Sequence, residues 1–162
     1  MRPLTWPAAK YRPHLVGSWE GGCNLILVRK GRPGASIESH ERATLRLWPE
    51  RRVVSMVRTA SGLCLANLHA STGGRAEGDV MKAASLVAGW AAGAPLVLGG
   101  DFNLRPASSV AFAELERLHG LTGATGPAAI DHLLSRGTGD LETPAVWLGP
   151  RRDVPDPPTG LK

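Results

Sequence analysis

The sequence predicts a layered α/β domain with a mixed sheet. Three of its features do so. Strand-like runs dominate the first half of the chain, with residues alternating at period two. Residues 76–91 then change to helical spacing. A short, wholly apolar run at 95–100 follows, and after it come a second helical pattern and one more strand-like run.

Residues 1–20 carry Pro and Trp and show no clear period. GCNLILVR at 22–29 reads as a strand, with Cys23, Leu25 and Leu27 on one face and Asn24, Ile26 and Val28 on the other. GRPGAS at 31–36 is a turn. ATLRLW at 43–48 and RVVSMVR at 52–58 read as two more strands, joined by the polar Pro-Glu-Arg at 49–51. GLCLANLH at 62–69 is a fourth. In 76–91, Val80, Ala83, Ala84, Val87, Trp90 and Ala91 recur at helical spacing, and Gly93 and Pro95 stop the helix. The run at 95–100 is short enough to be a strand buried on both faces. A second helix is expected over 109–118, with Ser108 as N-cap, Phe112, Leu115 and Leu118 inward, and Gly120 as terminator. AIDHLLS at 129–135 reads as a strand, and after Val146 the chain is polar and Pro-rich.

A chain of 162 residues with 43% hydrophobic and 20% charged residues fits one globular domain over 1–162. The 20 Gly and 13 Pro call for many turns between short elements. A formal charge of +5 suits polyanionic partners such as nucleic acid, phosphorylated metabolites or lipid headgroups, yet an Arg-rich composition alone accounts for it. Cys23 and Cys64 each sit in an apolar run, the habit of buried free thiols, and no Cys/His spacing suggests zinc. No apolar run reaches bilayer length and none resembles a signal peptide, so a soluble, cytoplasmic protein is expected.

Three places carry candidate chemistry. Asp101 and Asn103 follow the apolar run 95–100, at the carboxyl end of a strand where open α/β sheets place ligands. On an extended chain they point the same way and can orient a water, hold a phosphate oxygen or share a hard cation. A second reading makes Asp101 a turn residue that caps local N–H groups. Asn67 and His69 share a face at the end of the strand 62–69, and a strand-end His can serve as general acid or hydrogen-bond donor to a phosphate, or simply as a surface or packed residue. Asp131 and His132 are adjacent, so on a strand they face opposite sides and one of them is structural.

LANLHAS (65–71), VLGGDFNLRP (97–106) and AIDHLLSRG (129–137) resemble, in order, signature blocks of the endonuclease/exonuclease/phosphatase superfamily, the deoxyribonuclease-I-like fold. GGCNLILVR and the PERR string at 49–52 resemble stretches that precede the first block, so the similarity covers roughly residues 20–150. It implies an α/β sandwich with mixed, mainly antiparallel sheets and a divalent-metal-dependent phosphodiesterase or phosphatase, nuclease-like, using Mg²⁺ or Mn²⁺. Its substrate would be a phosphate ester, nucleic acid among the choices. By this resemblance His69 contacts the scissile phosphate and assists the leaving group. Asp101 and Asn103 orient the nucleophilic water, stabilise the phosphorane and help hold the metal. Asp131 orients a separate catalytic His, which His132 is not.

The sequence departs from the family's pattern at both ends. The family opens with an Asn and a Gln-Glu pair, whose Glu is the main magnesium ligand, and it closes with Ser-Asp-His. Glu20 lacks that Leu-Gln context, and the chain ends about where the closing block is due. The expectation is therefore a chain truncated at both ends, either a piece of a longer hydrolase or a non-catalytic relative acting as a binding module.

Overall fold

The computed structural model describes residues 24–29 and 31–139. Their strands are β1 (Ile37–Arg46), β2 (Arg52–Thr59), β3 (Cys64–His69), β4 (Leu96–Asp101) and β5 (Asp131–Arg136). The helices are α1 (Ala76–Ala91) and α2 (Ala111–His119), with a 3₁₀ turn at Gly73–Arg75 leading into α1. The strands form one sheet in the order β1-β2-β3-β4-β5. Only β3 and β4 are parallel, joined through α1, and every other neighbour is antiparallel. The architecture is thus α/β with a mixed, mainly antiparallel sheet, and the described residues supply a single sheet of it.

Both helices cover one face of that sheet. Val54, Met56, Cys64, Ala66, Leu68, Leu96, Leu98 and Leu134 point into a core with Val80, Ala83, Ala84 and Val87 of α1 and Leu115 of α2. The small residues of α1 let the helix lie close to the strands. Phe102 closes the core just past β4, fully buried beside Phe112 and His132. Burial of a side chain this size contributes about 2–3 kcal/mol. Cys64 is buried and free, and Cys23 lies outside the described residues. No helix among the described residues is long and apolar enough to cross a membrane.

Several elements differ from the sequence expectation. Residues 24–29 form no strand. Asn24 Nδ2 donates to the Val53 carbonyl at 2.7 Å, and Asn67 Nδ2 donates to the Leu25 carbonyl at 3.1 Å. The segment lies over the open face of β2 and β3, whose main-chain groups are already paired with each other. Alternation survives, with Ile26 inward and Leu25 and Leu27 exposed, but no ladder forms. β1 begins at Ile37 rather than at 43, because a sheet-edge strand is polar on both sides and hides its period. It ends at Arg46, leaving Leu47 and Trp48 exposed in the connection. In β4 Leu96 and Leu98 are buried on the helix side, and on the other face Gly99 is buried and Val97 half-buried.

Ser108 does not cap α2. Ser109 Oγ accepts the Ala111 N–H at 3.2 Å, and the Val110 cap position makes no side-chain bond. Leu118 is exposed, because the buried stripe centres on Leu115 between Ala111 and Phe112. Gly120 does end the helix, in the left-handed region at φ 66°, with its N–H on the Glu116 carbonyl.

One carboxylate is buried in α1. Asp79 receives Arg46 at 2.9 Å and the Ser71 N–H at 3.0 Å. Arg46 stands directly opposite Arg52 in the β1–β2 register, a repulsive pair unless each charge has a counter-ion. Asp79 serves the first, and Glu50, 2.6 Å from Arg52, serves the second. Burial raises the Asp79 pKa, but the hydrogen bonds from Ser71 and the charge of Arg46 outweigh it and hold the carboxyl below its usual range. A depressed folded-state pKa gives stability that is present above the unfolded carboxylate value near 3.9 and lost as pH falls through the folded value. Asp79→Asn is therefore expected to cost about 3 kcal/mol at pH 7. The gap to the wild-type chain should narrow on acidification below pH ~4, and denaturant melts at stepped pH would show it. A gap that stays constant would mean that the charge of Asp79 is not what stabilises.

Candidate active site

β3 and β4 run side by side and end together, so His69 lies opposite Asp101. β5 returns antiparallel, which places Asp131, its first residue, opposite Asp101 on the other side. Three titratable side chains thus stand in one row across adjacent strands about 4.8 Å apart. In β3 and β4 they come at the carboxyl ends. The row lies on the face away from the helices. Cys64, Ala66 and Leu68 are buried on the helix side, whereas Asn67 and His69 are half-exposed.

His69 Nε2 is 3.6 Å from Asp101 Oδ2, with the side chains 43% and 31% exposed. So solvated a pair stabilises the fold by no more than about 1 kcal/mol. The other oxygen, Oδ1, accepts the Asn103 N–H at 2.9 Å. Asn103 is therefore not on an extended chain with Asp101, as expected from parity. The strand stops at Asp101, and Asn103 turns into the left-handed region at φ 51°. Its Nδ2 donates to the Ala70 carbonyl at 3.0 Å, and the Ala70 N–H donates to the Asp101 carbonyl at 2.9 Å. Asp101 caps a turn with one oxygen, as the second reading of Gly100-Asp101-Phe102-Asn103 expects, and its other oxygen faces His69.

Gly100 makes this close approach possible. Its φ is +130°, and a Cβ there would meet the Leu68 carbonyl oxygen at 1.9 Å and Asn67 Oδ1 at 2.6 Å. The Asn67 carboxamide thus leans over the backbone of β4, one step from the row.

Asp131 is exposed, and His132 is buried on the opposite face. His132 Nδ1 accepts the Thr125 N–H at 3.3 Å, and Nε2 faces the Leu104 carbonyl at 3.0 Å. That assigns the neutral form with the proton on Nε2. Its ring also packs edge-on against Phe102 and Phe112. His132→Ala should remove about 3 kcal/mol of stability, read as a lower thermal midpoint. An unchanged midpoint would mean that the ring does not hold the loop after β4.

No family model and no curated protein matches the chain. Among solved structures it is similar to the mannosyl-6-phosphatase Bt3783 of Bacteroides thetaiotaomicron VPI-5482, at 17% identity and a TM-score of 0.47 over 64% of this chain and 53% of that one. It is similar to an endonuclease/exonuclease/phosphatase family protein of Bacteroides thetaiotaomicron, at 18% identity and a TM-score of 0.45 over 62% and 50%. TDP2 from C. elegans shows 17% identity and a TM-score of 0.45 over 63% and 41%. The chain spans about half the length of the solved structures it matches.

The donors in the row are of the kind a hard divalent cation takes. Asp101 and Asp131 offer carboxylate oxygens and Asn103 a carboxamide, and Mg²⁺ commonly binds through one or two carboxylates while keeping water. Among the described residues no three of His, Cys, Asp or Glu gather into a metal site. A cation here would keep most of its water or draw ligands from elsewhere in the protein.

Two contributors escaped the sequence reading. In the sequence Asn67 stands out only as a neighbour of His69, although the Gly99-Gly100 doublet in a strand signals that another group approaches closely. Asp79 in the first turn of a helix looks like an ordinary partner of the helix dipole, and nothing in its spacing marks it as buried.

Proposed function

We propose that this chain carries part of the active site of a divalent-metal-dependent phosphoric ester hydrolase, nuclease-like in its chemistry. The observation that supports it is the row His69–Asp101–Asp131 across three adjacent strands. In this reading Asp101 Oδ2 takes a proton from a water as that water attacks phosphorus, and the ester P–O bond breaks on the far side. His69 donates a hydrogen bond to the phosphoryl group as negative charge builds. Asn103, held by Ala70, fixes the Asp101 carboxylate and offers its carboxamide to the phosphorane. Asp131 orients a partner histidine supplied from outside the described residues. Asp101 and Asn103 would hold Mg²⁺ or Mn²⁺, whose contribution when bound is to neutralise charge on the phosphate. The basic balance of the chain favours a polyanionic substrate such as nucleic acid.

One observation favours a second reading, a fold that binds phosphate esters without cleaving them. Asp131 is exposed and makes no ion pair with a histidine among the described residues. Hydrolysis of bis-p-nitrophenyl phosphate and of plasmid DNA, with Mg²⁺, with Mn²⁺ and with EDTA, separates the two. Turnover that needs metal and disappears in His69→Ala supports the hydrolase. A folded, monodisperse chain that binds DNA without turnover supports the binding module.

A further inference from the structure

We propose that Asp79 is a positioning residue for the reactive row, acting through Ser71 on the turn that carries His69, with Arg46 holding Asp79 in place. The inference rests on the hydrolase reading for its purpose, but not for its test. Asp79 is 1% exposed in the first turn of α1. Its Oδ1 receives both Nε and Nη2 of Arg46, at 3.1 and 2.9 Å, and its Oδ2 receives the Ser71 N–H at 3.0 Å.

A first-turn carboxylate can favour the helix dipole from the surface, as exposed Glu77 does in the same turn. Burial adds a desolvation cost of several kcal/mol that only good partners offset. What the burial achieves lies in the residues Asp79 reaches. β3 stops at His69, and past Ser71 the chain runs through Gly73 and Gly74, where the backbone has most freedom. Three consecutive main-chain groups in between are tied down. The Ala70 N–H is held by the Asp101 carbonyl, the Ala70 carbonyl by the Asn103 carboxamide, and the Ser71 N–H by Asp79. The first two ties belong to the row itself. The third comes from the helix and the far strand, so α1 and β1 act as a brace on the peptide that follows His69. Without it that peptide can rotate, and the 3.6 Å approach of His69 to Asp101 loosens.

The test is NMR of the whole chain with ¹⁵N-labelled histidine, following the His69 ring resonances at fixed pH in wild type, Asp79→Asn and Arg46→Gln. A purely structural Asp79 lowers the thermal midpoint and leaves the His69 ring signals where they were. The expected result is a folded Asp79→Asn chain whose His69 ring shifts move. His69 signals superimposable on wild type in a folded variant would overturn the proposal. If Asp79→Asn does not fold, Arg46→Gln, which alters the part-exposed member of the pair, gives the same readout with the same two outcomes. Where turnover is measurable, the displaced row should lower kcat roughly 10- to 100-fold. Failure of the hydrolase reading shows separately, as turnover that survives His69→Ala.

Discussion

Gly100→Ala is expected to prevent folding, whereas Gly99→Ala, one residue earlier, is expected to be tolerated. At Gly100 the added methyl would sit 1.9 Å from the Leu68 carbonyl oxygen, a backbone atom of the neighbouring strand in the middle of the sheet. Neither strand can move without breaking the β3–β4 ladder, and the φ of +130° is closed to residues with a Cβ. Clash and strain together amount to at least several kcal/mol. A domain with about 5–15 kcal/mol in total has little left after that. At Gly99 the nearest atom is Leu133 Cδ1 at 2.8 Å, the tip of a side chain that is half exposed and can turn away. A cost of about 1 kcal/mol is expected there. Circular dichroism melts of the two variants decide it. A cooperative Gly100→Ala transition near that of wild type would show that β3 and β4 do not approach this closely.

If the chain is the hydrolase proposed, Asp101→Asn should cut turnover about 10²- to 10⁴-fold while leaving the thermal transition nearly unchanged. Asparagine keeps an oxygen to accept the Asn103 N–H, so the turn after β4 survives. The pair with His69 is solvated and adds little stability. What disappears is the negative Oδ2 as proton acceptor, a loss of about 10²- to 10⁴-fold in kcat for general-base chemistry. Asp101→Ala should be equally inactive but less stable, because it also removes the turn's acceptor. An Asp101→Asn chain that retains wild-type turnover would sink the role assigned to this carboxylate.

What could be read in the sequence follows a physical division. Strands at 52–58 and 62–69 and the helix at 76–91 are legible because each buries one periodic apolar face, and the strand at 95–100 because its run is wholly apolar. The start of β1 at Ile37 did not, since Glu38, His40 and Arg42 face water along a sheet edge. The run at 22–29 has the alternation of a strand, but pairing depends on free ladder groups in the neighbours, which local sequence does not record. Strings containing His69, Asp101, Asn103 and Asp131 stood out by composition and order. Their alignment in one row depends on register across three strands, and the turn at Asn103 depends on where the ladder ends. Asp79 was silent because its partners are 33 residues and 8 residues away in the chain.

The single parallel pairing in the sheet also governs the order in which the parts of the molecule can come into being. β1, β2 and β3 close on one another through short connections, and their contacts are local. His69 meets Asp101 only after residues 70–100 have been gathered and α1 has docked across the strands. Closing that longer loop is the slower, entropically dearer step. Bringing His69 beside Asp101 therefore carries a larger loop-closure cost than any pairing within the β1–β2–β3 meander.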